Sequence, residues 1–168
     1  MINKNDFTLA LFKKGQPIYR EDLIHWLDKN TTITCKEIVI AGKKEIQQES
    51  HPFFKEFLDV ILEMRPDVKI ILKTDGYFYL PLTYLYDLSD KAEIEIEMLG
   101  YNYHTYKKFT GNEYFDKVVE NLQQLKAYEE YNHKHCKTRI ISPFYGDIEQ
   151  ACFRSRMLEF VDSFDYFS

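Results

Sequence analysis

The chain has 168 residues, a formal charge of −5, and a composition that is 45% hydrophobic and 16% aromatic. That composition excludes a disordered chain, no apolar run is long enough to span a bilayer, and the acidic balance excludes wholesale binding to a phosphate backbone. The length fits one domain with a sizeable core.

The opening stretch MINKNDFTLALFKKG has a short apolar centre between charged residues, so it does not read as a signal peptide and the cytoplasm is the expected location. Thr8 to Phe12 reads as a first strand, Lys13 to Pro17 as a tight polar loop, and Arg20 to Lys29 as a helix with Leu23, Ile24 and Leu27 on one face. Glu37 to Ala41 is a second, buried strand closed by Gly42. Ser50 is placed to cap the next helix with Pro52 in its first turn. In that helix Phe53, Phe54, Phe57, Leu58, Ile61 and Leu62 form the strongest helical period of the chain, which Arg65 and Pro66 end.

Val68 to Lys73 is a third strand, ending in the polar turn Thr74-Asp75-Gly76, and Leu82, Leu85 and Leu88 follow on a weaker, tyrosine-rich helical segment. At Glu93 the run EIEIEML alternates charge and aliphatic residues, which implies one solvated or lumen-facing side. Glu93 and Glu95 read as the wet face of an edge strand, where charge blocks unwanted pairing, while Glu97 near the strand end stays open between that role and a functional one. Tyr101 to Tyr106 reads as a loop. Tyr114, Phe115, Val118, Val119, Leu122 and Leu125 mark a long helix with Asn112 as its cap, Lys137 to Ser142 a fifth strand, and Asp147 the cap of a last helix carrying Ile148, Cys152, Leu158 and Val161. The tail FDYFS begins a sixth strand.

Repeated strand, loop and helix units with short connections predict an α/β protein with a parallel sheet of five to six βα units. Five or six units are fewer than the eight that close a barrel, so an open or partial TIM-like barrel is expected, with chemistry at the carboxyl ends of its strands. Cys35, Cys136 and Cys152 are scattered and odd in number, which suggests reduced thiols rather than a disulfide framework. His133, His135 and Cys136 lack an evident fourth ligand and read as a solvated connection, so no metal is expected.

Gly42-Lys43-Lys44-Glu45 after the second strand, Thr74-Asp75-Gly76 after the third, and EIEMLGYNYHTYKKFTGNEYFDKVVENLQQL at the fourth unit resemble, in order and spacing, the core of radical S-adenosylmethionine enzymes. The likeness runs from about Asp22 to Arg139. It implies a partial barrel, and it implies weak cofactor-binding positions at Gly42, Glu45, Asp75, Gly76 and Glu97. The family's three-cysteine loop, which holds an iron–sulfur cluster, would fall at KKGQPIY, Lys13 to Tyr19, where no cysteine stands. A degenerate, cluster-less relative is therefore implied, without a cofactor and without radical chemistry.

Three functions follow as expectations. The first is a non-catalytic accessory protein that acts through a protein or peptide partner, or through self-association, with Tyr101, Tyr103 and Tyr106 at the strand-end surface. The tyrosines at 77, 79, 84 and 86 share their lack of helical spacing and are further interface candidates. The second is an enzyme with repurposed acid–base chemistry among Glu45, Lys73, Asp75, Glu97 and His104. The third is an adenosine-type small-molecule binding module without turnover.

Overall fold

Six parallel strands carry an apolar row on one face and a charged row on the other, and this difference decides which face the helices cover. The computed structural model describes residues 6–30, 36–42, 48–77 and 82–167. In chain order they form β1 (Asp6–Leu9), β2 (Phe12–Lys13), β3 (Gln16–Pro17), α1 (Arg20–Lys29), β4 (Glu37–Ile40), α2 (Phe54–Met64), β5 (Lys69–Thr74), β6 (Ala92–Glu97), α3 (Tyr103–Thr110), α4 (Phe115–Asn132), β7 (Lys137–Ser142), α5 (Ile148–Met157) and β8 (Ser163–Tyr166). Two 3₁₀ segments, Gln48–Ser50 and Thr83–Lys91, lie before α2 and β6.

The sheet order is β1-β4-β5-β6-β7-β8, every neighbouring pair is parallel, and β1 and β8 lie at its two edges. Within this sheet each strand therefore pairs with the one that follows it in chain order, the β2–β3 hairpin standing apart, and crossovers of the usual right hand put the helices on the same face. Side-chain burial agrees. Ile38, Ile40, Ile70, Leu72, Ile94, Ile96, Ile140 and Phe164 point to one side and join Leu23, Leu27, Phe57, Leu58, Ile61, Val118, Leu122, Phe153 and Met157 of the helices in one hydrophobic cluster. Val39 and Ile71 point the other way and are buried outside that cluster.

Phe57 is 2% exposed in this cluster, beside the ring of His51. Phe57→Ala is expected to cost about 3–5 kcal/mol, and Tyr103→Ala, at a half-buried position, much less. Equal and small losses in urea unfolding would show that the buried face is misidentified.

The charged row belongs to an interior strand. Glu93 and Glu95, expected on an edge, lie in β6 between β5 and β7 and are 2% and 5% exposed. The register sets Glu93 against Lys137 and Glu95 against both Lys73 and Arg139. Glu93 Oε2 accepts Lys69 Nζ at 2.5 Å and lies 3.3 Å from Lys137 Nζ, while Glu95 Oε1 lies 2.8 Å from Lys73 Nζ and Glu95 Oε2 pairs with Arg139 Nη2. Arg139 Nε is 2.9 Å from Glu93 Oε1 but neither atom has hydrogen-bond geometry, so that contact is purely one of charge. Burial pushes the Glu93 carboxyl up, but Lys69, Arg139 and Lys137 outweigh it and hold the group below the usual carboxylate range. Alternation along β6 arises because cations of both neighbouring strands meet it, not because the strand meets water.

Three further expectations differ. Tyr103–Thr110 is a helix rather than a loop, because Asn102 and Thr105 form a reciprocal capping box at its start and Gly111 closes it at φ 77°. Ser50 falls in the 3₁₀ turn and does not cap α2, which starts at Phe54 with Phe53 half exposed before it. In α5, Asp147 does cap the helix by accepting from Gln150 N at 2.8 Å, but the helix buries Gln150, Phe153 and Met157 and exposes Ile148 and Cys152; past its end Leu158 is exposed and Val161 is buried as expected. The reason is Gln150, whose side chain turns inward to Pro143 O and Tyr145 N.

Candidate ligand site at the strand ends

Beyond the carboxyl ends of β4, β5, β6 and β7 lies a cavity of about 530 Å³, within the range of small-molecule sites. Its polar lining includes Gln48, Glu49, Lys73, Thr74, Asp75, Glu95, Glu97 and Tyr106, and its apolar lining includes Leu99, Phe109, Ile141 and Phe167. In an open parallel sheet this is the end where ligands are met.

Glu49 is the residue that sequence reasoning missed. It sits in the 3₁₀ turn Gln48–Ser50, 6% exposed, with Oε1 accepting from Thr74 Oγ1 at 2.9 Å. Thr74 ends β5, and its hydroxyl also accepts from Gly76 N at 3.2 Å, so the strand end and the carboxyl are locked together. Burial raises the Glu49 carboxyl to about 7, and the Asp75 charge adds to the rise. Asp75 is itself raised by burial and by Glu97, and its Oδ1 accepts from Tyr77 N at 2.9 Å. Among the described residues, four buried side-chain polar atoms have no hydrogen bond: Glu93 Oε1, Arg139 Nε, Glu49 Oε2 and Tyr106 Oη. The first two meet each other as charges, and the last two belong to residues that line this cavity. An unmade hydrogen bond on a buried polar group costs on the order of 1–3 kcal/mol, so two on residues that line one cavity are unusual.

The residues singled out from the sequence are distributed unevenly. Gly42, Asp75 and Glu97 line the cavity, whereas Glu45 lies outside the described residues, as do Cys35 and Tyr79. Gly42 serves the protein's own packing: a Cβ there would stand 2.1 Å from Gln48 Nε2, and Gln48 Oε1 in turn accepts from Leu11 N at 2.6 Å. Gly76 adopts φ 80°, and a Cβ would press to 2.7 Å from Val118 Cγ1; Asn121 Nδ2 donates to its carbonyl at 2.8 Å. Lys73 lines the cavity while paired with Glu95. His104 is exposed on α3 and does not contribute to the lining.

Tyr101 and Tyr103 are half-buried after the end of β6, and Tyr101 Oη donates to Asp147 Oδ2 at 2.6 Å. Tyr106 differs from the expectation of a surface position. At 1% exposure it is core, because α3 turns the ring inward to meet Phe115 edge-on. Tyr86 is also buried, at 3%.

An iron–sulfur cluster does not fit the described residues. The segment that would hold it is the hairpin of β2 and β3, antiparallel and closed by Lys14 and Gly15, both in the left-handed region as a two-residue turn requires. Of the described thiols, Cys136 is buried against Ala92 O with its ionisation pushed up to about 12, and Cys152 is exposed on α5. No group of three or more His, Cys, Asp or Glu among the described residues is arranged to hold a metal ion. At His135, Nδ1 and Nε2 face Glu129 and Asp162 at 3.1 and 3.5 Å. Among the described residues no helix is long and apolar enough to cross a membrane.

Comparison with the models of known families finds no match for this chain. Comparison with curated proteins finds none either.

Proposed function

We propose that this protein is a binding module that holds a small organic ligand at the carboxyl ends of its strands and does not transform it. The observation that carries this reading is that Glu49 and Tyr106, whose Oε2 and Oη are buried without a hydrogen bond, both line one cavity of about 530 Å³. A fold tolerates such groups where a bound partner completes them. The sequential parallel order supports a partial TIM-like barrel, and the resemblance to radical S-adenosylmethionine enzymes supports a degenerate relative. The absence of cysteine from Lys13 to Tyr19 supports a role other than radical chemistry.

A second reading, action through a protein or peptide partner, is favoured by the half-exposed rings of Phe109 and Phe167, two of the residues that line the cavity.

The test is a fragment screen by ligand-observed NMR against the wild type and Ile141→Trp, which fills the cavity from β7. Fragments are expected to compete for one site and to lose binding in the filled variant. Fragments that bind the filled variant as well would overturn the assignment of the cavity.

A further inference from the structure

The charge of the cavity identifies what it takes. Among the described lining residues Lys73 is the cation, and its ammonium group is held by Glu95 at 2.8 Å, in a network that Arg139 completes. The Asp75 charge adds to the rise that burial gives the Glu49 carboxyl, and Glu97 in turn adds to the charge around Asp75. A negative ligand would add to this repulsion, and a neutral one would leave it in place. A cation relieves it.

Resting on the reading of this cavity as a ligand site, we propose that it binds a protonated primary amine, with Glu49 Oε2 accepting from the ammonium group, Asp75 supplying the second charge and Tyr106 Oη a further hydrogen bond. Ammonium has three donors and no acceptor, which matches a carboxylate oxygen that lacks a partner and a phenol oxygen that can accept. Leu99, Phe109, Ile141 and Phe167 would cover the aliphatic stem. The amine could be free, or the end of a lysine side chain on a peptide, since both present the same group on the same kind of stem.

Binding is then linked to protons. Glu49 takes up a proton near neutrality, with Asp75, Glu97, the Lys73–Glu95 pair, Tyr84 and Tyr106 among the described titratable groups around it. An ammonium ion favours the ionised form, so affinity should rise as pH rises from about 6 to about 8, with a proton released at the lower end. The amine itself stays charged throughout, with a pKa of about 10.

The experiment is calorimetry on the full chain with pentylamine and Nα-acetyl-lysine methylamide, against 1-pentanol and the Nε-acetylated lysine compound as uncharged controls. At about pH 8 the amines are expected to bind at least about ten-fold more tightly than the controls, the worth of one charge-assisted hydrogen bond. Affinity in the wild type should rise with pH, and Glu49→Gln, checked for fold by circular dichroism, should abolish both the preference and the rise. Tighter binding of the lysine compound than of pentylamine assigns a peptide source, and the reverse a free amine. Controls that bind as well as the amines would overturn the amine proposal and leave the ligand cavity standing. If neither these compounds nor the screened fragments bind, both fall. A preference for amines that survives in Glu49→Gln, or an affinity flat in pH in the wild type, would overturn the role of Glu49.

Discussion

Glu49→Gln is expected to make the protein more stable than wild type above about pH 7, by roughly 3 kcal/mol. The sign follows from burial. The carboxyl ionises near 4.5 in an open chain and at about 7 in the fold, so between those values the folded chain keeps a proton that the unfolded chain has released. Stability therefore falls as pH rises through this window and stays reduced above it. Glutamine keeps the oxygen that accepts from Thr74 and carries no charge, so it avoids the penalty. Urea unfolding at about pH 5, 7 and 8.5 checks this: the two proteins should converge at the acid end and separate at the alkaline end. Parallel profiles would mean that Glu49 is ionised at little cost, and would remove the argument for an unsatisfied carboxyl.

Arg139→Met is expected to destabilise by about 3–5 kcal/mol, because it leaves two buried carboxylates short of their shared cation. The guanidinium reaches Glu93 and Glu95 at once, from the β7 position paired with Glu95. Arg139→Lys should recover only part of the loss, since an ammonium group cannot span both carboxylates as the guanidinium fork does. Adding Glu95→Gln to Arg139→Met should also restore stability by removing a buried charge left with Lys73 alone. The pH dependence runs opposite to that of Glu49. Glu93 is held below the usual carboxylate range, so its contribution is present above the unfolded value near 4.5 and is lost as pH falls through the folded one. A loss near zero in Arg139→Met would show that water reaches the charged row and screens it.

The framework was legible because it rests on local pattern. Helix α1 and strand β7 have the limits that the periodicity of Arg20 to Lys29 and the run Lys137 to Ser142 predict, and β8 begins within one residue of the expected tail. The charged face was not. An alternating Glu-Ile-Glu run is compatible with an exposed edge and with an interior strand whose neighbours bring cations, and only the register separates them. Lys69, Lys73, Lys137 and Arg139 were the available signal, with a period of two or four on adjacent strands. Glu49 was illegible for a related reason: its burial depends on Thr74, 25 residues away. Helix α3 escaped because its stability lies in its two ends, whose caps outweigh a tyrosine- and threonine-rich middle of modest propensity.

The nearest-neighbour order of the sheet bears on how the chain acquires its structure during synthesis. Every strand finds its partner in the unit made just before it, so no early segment must wait for a distant one to emerge. Growth can follow the ribosome, with each new strand laid on the edge left by the last. Until β7 arrives, however, Glu93 and Glu95 of β6 face an unfinished side with only Lys69 and Lys73 to meet them. A nascent chain halted between β6 and β7 should therefore be the species most open to proteolysis, and the arrival of Arg139 the step that closes it.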